Sequence, residues 1–163
     1  MPCTPFSRIL PVGLLLAGFS IESQGQTSAQ SVSVAVNAIN QIAFTGAPSL
    51  AISTATAGSA PTSAFDASAS WAVTTNQSGA KIVASISTLM PSGLTLSASL
   101  VAPAGASSAS FQALGITAVE LVTGIGKLAQ SALGVTYRMD ATPAANLVSS
   151  ASRVVTYTIT GGV

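Results

Sequence analysis

Trp71–Ser87 reads WAVTTNQSGAKIVASIS, and the fold class is decided there. Trp71 and Val73 alternate with Ala72 and Thr74. After Asn76-Gln77-Ser78-Gly79, Ile82, Ala84 and Ile86 alternate with Val83, Ser85 and Ser87. Successive side chains of a strand point to opposite faces, so a period of two gives one apolar face and one small or polar face. Asn, Ser and Gly between the two runs supply turn chemistry, so the stretch is expected to form a β-hairpin.

The same alternation spreads outward. Pro91-Ser92-Gly93 leads into Leu94, Leu96, Ala98 and Leu100, which alternate with Thr95, Ser97 and Ser99 and suggest a second hairpin. Val135, Tyr137 and Met139 repeat the pattern, as do Val155, Tyr157 and Ile159. Ser31–Val36 and the short run at Leu50 and Ile52 are further strand candidates, and two more strands are expected near Ser110–Leu114 and Ala118–Thr123. About eight to ten short strands, each apolar on one face, predict an all-β, two-sheet antiparallel sandwich of immunoglobulin-like type. Ala55–Ser70, rich in Ala, Ser and Thr, is expected to be a long surface loop. Gly124 and Gly126 argue against a continuous helix, so Lys127–Leu133 is expected to be a loop or a single helical turn.

The N-terminus has the order of an export leader. Arg8 precedes an apolar run from Ile9 to Ile21, and a polar stretch with small residues follows. Cleavage is expected after Gly25 or Ala29, leaving residues 30–163 as one domain in an extracytoplasmic setting, secreted or at the cell surface. The apolar run is shorter than the roughly 20 residues of a spanning helix, and no later segment is long and apolar enough, so no transmembrane helix is expected in the mature chain. The single cysteine, Cys3, lies in the leader, so the mature domain is expected to be free of disulfides.

Only 6% of the chain is charged, and the formal net charge is +1. Phosphate neutralisation needs clustered Lys and Arg, so nucleic acid is not an expected partner. With no histidine, a Ser-His-Asp triad is excluded. Thiolate and imidazole metal sites are missing for the same kind of reason. Asp66, Glu120 and Asp140 are far apart in sequence and read as isolated carboxylates. No catalytic group, cofactor or metal is assigned, and the chain does not read as an enzyme. A surface of Ser, Thr, Ala, Gly and Asn has little self-repulsion and favours association.

Two sets of residues stand out. Val32, Val34 and Val36 lie on one face of Ser31–Val36, a strand at the start of the mature chain that can pair at home or be donated to a neighbour's sheet edge. Donation would build fibres through repeated head-to-tail contacts. Phe44, Phe65 and Phe111 fall near expected loops or strand ends and are candidates to face a ligand such as a glycan. Trp71, Tyr137 and Tyr157 fall on apolar faces and read as core. Thr156, Thr158 and Thr160 read as the solvated face of the last strand.

From Trp71-Ala72-Val73-Thr74-Thr75-Asn76 through Lys81-Ile82, Pro91-Ser92-Gly93-Leu94-Thr95-Leu96 and Leu121-Val122-Thr123-Gly124-Ile125 to Val154-Val155-Thr156-Tyr157-Thr158-Ile159-Thr160, the pattern resembles small secreted bacterial surface proteins with immunoglobulin-like sandwiches, of fimbrial or WxL-like type. The resemblance covers about ninety residues. It departs from chaperone–usher subunits in having no disulfide and from WxL domains in lacking a second motif. It implies a structural or surface-assembly role with self-association or other surface proteins as partners. The alternative is a non-catalytic binding module for glycans or another surface ligand.

Overall fold

The computed structural model describes residues 25–163; the expected leader falls almost wholly outside them. The chain divides into two units at Ala35. In the first, residues 25–35 form no strand or helix.

The second unit, Val36–Val163, is all-β. Its strands are β1 (Asn40–Thr45), β2 (Ala64–Thr75), β3 (Ala80–Ile86), β4 (Leu94–Leu100), β5 (Ser107–Ser108), β6 (Gln112–Ala113), β7 (Val119–Ile125), β8 (Leu128–Ala141) and β9 (Val155–Thr160). They form two antiparallel sheets, one in the order β1-β2-β8-β4-β6 and the other in the order β5-β7-β3-β9. Among the described residues no helix is long and apolar enough to cross a membrane.

The connections correct the hairpin expectation. β2 pairs with β1 and β8, whereas β3 pairs with β7 and β9, so Asn76–Gly79 carries the chain from one sheet to the other. Pro91-Ser92-Gly93 likewise joins strands of different sheets. From β2 onward every link crosses the sandwich. Alternation specifies which face a strand buries but not which neighbour it pairs with, and these strands bury their inner faces against each other across the core.

The core sits between the sheets. Trp71, Ile82, Leu100, Leu121, Ile125 and Val135 are essentially inaccessible. The Trp71 indole N–H donates to the Val101 carbonyl at 3.2 Å, which satisfies the one polar atom this ring carries inward. Tyr137 of β8 and Tyr157 of β9 join the two sheets through their hydroxyls, 2.6 Å apart.

Three further expectations are corrected. Ala64–Ser70 is not loop but the first half of β2, and Leu128–Leu133 is not a turn but the start of β8. Both strands carry bulges that hid them. Opposite Ala72, β8 fits in Ser131 and Ala132, with Ala132 at φ 58°; opposite Thr136, β2 fits in Ala67 and Ser68. An extra residue switches the parity of inward positions, so one strand reads as two unrelated fragments. Finally, the run at Leu50 and Ile52 forms no strand. Leu50 packs on the core from an irregular segment whose Ser49 N–H donates to Asp66 Oδ2 at 2.8 Å.

Candidate functional site

Two regions of the sandwich carry the residues singled out from the sequence. The first is its open side, beside β9. This strand is an edge of its sheet. Ser87 N–H donates to the Val154 carbonyl while Ile86 N–H donates away, to Gly115. Backbone groups alternate sides along an antiparallel strand, so Val155, Tyr157 and Ile159 aim their N–H and C=O groups at the outer edge, which no strand covers among the described residues. Their side chains face inward, packed against the core.

A cleft of about 400 Å³ lies next to this edge, lined by Phe44, Leu50, Met90, Leu96, Tyr137 and Val155. An adjoining open cleft of about 690 Å³ is lined in part by the chain between β8 and β9, including Leu147 and Arg153. Phe44 is stacked on Tyr157, with ring centroids 3.8 Å apart, and lies parallel to Trp71 at 5.8 Å. It is half-buried in the packing, with one face on Tyr157, and is not a free platform for a ligand. Burial pushes the Tyr157 hydroxyl well above the ordinary tyrosine range, and its hydrogen bond to Tyr137 adds to the rise. Burial also raises Tyr137, partly offset by the same hydrogen bond. Both hydroxyls therefore hold their protons more tightly than an exposed tyrosine, and the bond between them links the two sheets.

Val32, Val34 and Val36 are 77%, 89% and 83% exposed, and no strand includes them in the single chain. The sandwich begins just after them with a clamp on one side chain. Ile39 N–H donates to Asn76 Oδ1, Asn76 N–H to the Ile39 carbonyl, and Asn76 Nδ2 to the Asn37 carbonyl. Asn76, read from sequence as a turn residue, thus fixes where the chain enters the sandwich.

The second region is the outer face of the five-stranded sheet. Phe65 of β2 and Phe111, just before β6, meet edge to face with centroids 6.1 Å apart. Arg138 of β8 lies over the Phe111 ring at 4.9 Å and donates from Nε to Asp140 at 2.9 Å. Ser63 Oγ donates to the other oxygen of Asp140. Two of the three candidate phenylalanines thus come together, while the bulge in β2 turns Phe65 outward although Trp71, at the same parity, points in. Arg138 was not singled out in sequence, and Asp140 was read there as an isolated carboxylate, whereas it is partnered by Arg138 and Ser63. Their signal is the rarity of charge, since two of the few charged residues lie two apart on one strand.

The remaining charges are separate. Asp66 accepts bonds from Ser49 and Ser68, which hold its carboxyl below the ordinary range. Glu120 pairs with Lys81 on the other sheet. Among the described residues no three His, Cys, Asp or Glu side chains gather as a metal site would require. Thr156 and Thr158 are exposed, but Thr160 is half-buried with its hydroxyl unpartnered, so the three do not form a uniform array. No family model, curated protein or solved structure matches the chain.

Proposed function

We propose that this chain is a secreted structural or cell-surface assembly protein, an immunoglobulin-like sandwich subunit that polymerises by exchange of its N-terminal strand. The observation that carries the reading is the pairing of an exposed, alternating apolar segment with an unfilled sheet edge. Val32, Val34 and Val36 have strand chemistry but no strand, and they expose side chains that a monomer gains nothing by exposing. β9 offers the backbone of Val155, Tyr157 and Ile159 at its free edge, beside an apolar cleft. In an extended segment, alternate side chains repeat at about 6.6–6.8 Å, so the three valines of one copy span about 13 Å along the cleft of the next. Main-chain bonds supply affinity and the valines supply register. Donation from copy to copy is head-to-tail and leaves one donor and one acceptor free at the ends, which is the condition for a filament. The leader, the low charge and the want of any catalytic cluster in the sequence agree with a building role rather than a catalytic one.

The test replaces Val32, Val34 and Val36 together with Ser. All three are exposed, so the sandwich should unfold at an unchanged urea midpoint. Polymers seen by sedimentation and electron microscopy with the parent protein should disappear. Polymers that survive the triple substitution would overturn the strand-exchange reading.

A further inference from the structure

We propose that the outer face of the five-stranded sheet, at Phe65, Phe111, Arg138 and Asp140, binds the sugar units of a neutral polysaccharide. The site is distinct from the strand exchange proposed above, which uses the β9 edge and the cleft beside it.

The argument starts from Phe65. It is 60% exposed near the start of β2, beyond the stretch that β1 pairs, where a strand would ordinarily carry Ser or Thr. Its Cα partner in β8 is Arg138, whose partner in β4 is Ser97, whose partner in β6 is Ala113. Ring and guanidinium therefore lie side by side on neighbouring strands, while Ser97, next in the row, is buried. The bulge between Asp66 and Ala69 places Phe65 on this face, where it meets the Phe111 ring edge to face.

The charged pair completes a recognition set. The Arg138 guanidinium is fixed twice, by the Phe111 face and by Asp140. Its Nε is committed to Asp140, and among the described residues neither Nη donates to the protein. A planar fork held in place by its stem end presents the two remaining nitrogens as pre-oriented donors. Asp140 accepts from Ser63 and Arg138 and retains lone pairs for further donors. The side chains of Arg138 and Asp140 are each about one-third exposed, at 35% and 36%.

The chemistry selects the ligand class. A sugar ring has an apolar face of C–H bonds, which suits the electron-rich face of an aromatic ring, and a rim of hydroxyls that both donate and accept. Phe65 supplies the first, and the Arg138–Asp140 pair supplies a donor and an acceptor together for the second. The pair is electrically balanced, so nothing in the patch favours a charged polymer.

The experiment is affinity electrophoresis of the folded protein through gels containing dextran, galactomannan, xylan or hydroxyethyl cellulose. At least one of the four should retard the parent chain. Phe65→Ala should weaken that retardation by roughly 10-fold or more, as expected for an aromatic anchor. Phe65→Trp, which keeps a flat face, should retain it, and Arg138→Lys, which keeps the charge but loses the fork, should weaken it. Thr158→Ala on the other sheet should change nothing. Circular dichroism establishes that each variant is folded. No retardation by any of the four polysaccharides, or full retardation of folded Phe65→Ala, would overturn the proposal. So would a Phe65→Ala variant whose only change is in sedimentation, because the face would then be a contact between copies. Filaments formed by Phe65→Ala leave the assembly reading standing, so the two proposals fail separately.

Discussion

The hydroxyl bridge between Tyr137 and Tyr157 is the most informative place to perturb the sandwich. The two oxygens lie 2.6 Å apart and belong to different sheets. Replacing Tyr157 with Phe removes one hydroxyl and strands the other on Tyr137, a residue only 7% exposed. A typical hydrogen bond contributes about 1 kcal/mol net, and a buried hydroxyl left without its partner costs about 1–3 kcal/mol. Each single variant, Tyr137→Phe and Tyr157→Phe, is therefore expected to lose about 1–3 kcal/mol. The double variant orphans nothing, so its loss should fall below the sum of the singles by at least about 1 kcal/mol. Trp71 is the single tryptophan and is 2% exposed, so its fluorescence follows urea unfolding of the core directly. The same pair sets an alkaline limit. Both folded values are raised above the ordinary tyrosine value of 10.0, so the unfolded chain gives up these protons first. The stabilisation is fully present below about pH 10 and is lost as pH rises beyond it. These are the only two tyrosines, so tyrosinate absorbance reads them alone. Additive single variants, or tyrosine titration at the ordinary value in the folded protein, would refute the bridge.

Other expectations follow from the same packing. Gly46 has φ 109°, and a Cβ there would come within 2.7 Å of the Ala69 Cα, so Gly46→Ala should cost about 2–4 kcal/mol by urea unfolding. Asp66 holds the β2 bulge and the Ser49 segment, and its carboxyl is depressed, so its contribution is complete above the ordinary carboxylate value and fades as pH falls through the lower folded one. Asp66→Asn should therefore flatten the acid limb of the stability–pH curve, measured by Trp71 fluorescence. Every connection after β2 crosses between sheets, so few native contacts are local, and refolding should take milliseconds to seconds in stopped-flow fluorescence.

The parts of the fold that were legible are those where alternation runs unbroken. Ile82-Ala84-Ile86 and Leu96-Ala98-Leu100 point inward as their period requires, and Trp71 and Tyr137 are core residues. What alternation does not encode is the partner. Asn76–Gly79 has hairpin composition, yet it spans the core because β2 and β3 bury their faces against each other. Bulges explain the rest. Leu128 and Gln130 fall on one parity and Leu133, Val135 and Tyr137 on the other, so β8 looked like a turn followed by a strand. The bulge in β2 likewise kept the outward turn of Phe65 out of sight, and with it the meeting of Phe65, Phe111 and Arg138. Phe44 was legible as an aromatic at a strand end but not as a ring stacked on Tyr157, which lies more than one hundred residues away in the chain.

The most direct test of the central claim, that the N-terminal segment is donated from copy to copy, is negative-stain electron microscopy of the purified protein over a range of concentrations, with light scattering alongside. The account predicts regular filaments from the parent chain and single particles from a variant lacking residues 30–36, which keeps Asn37 and Ile39 on the Asn76 clamp. Filaments of the same form from the truncated chain, or only single particles from the parent chain at every concentration, would contradict it.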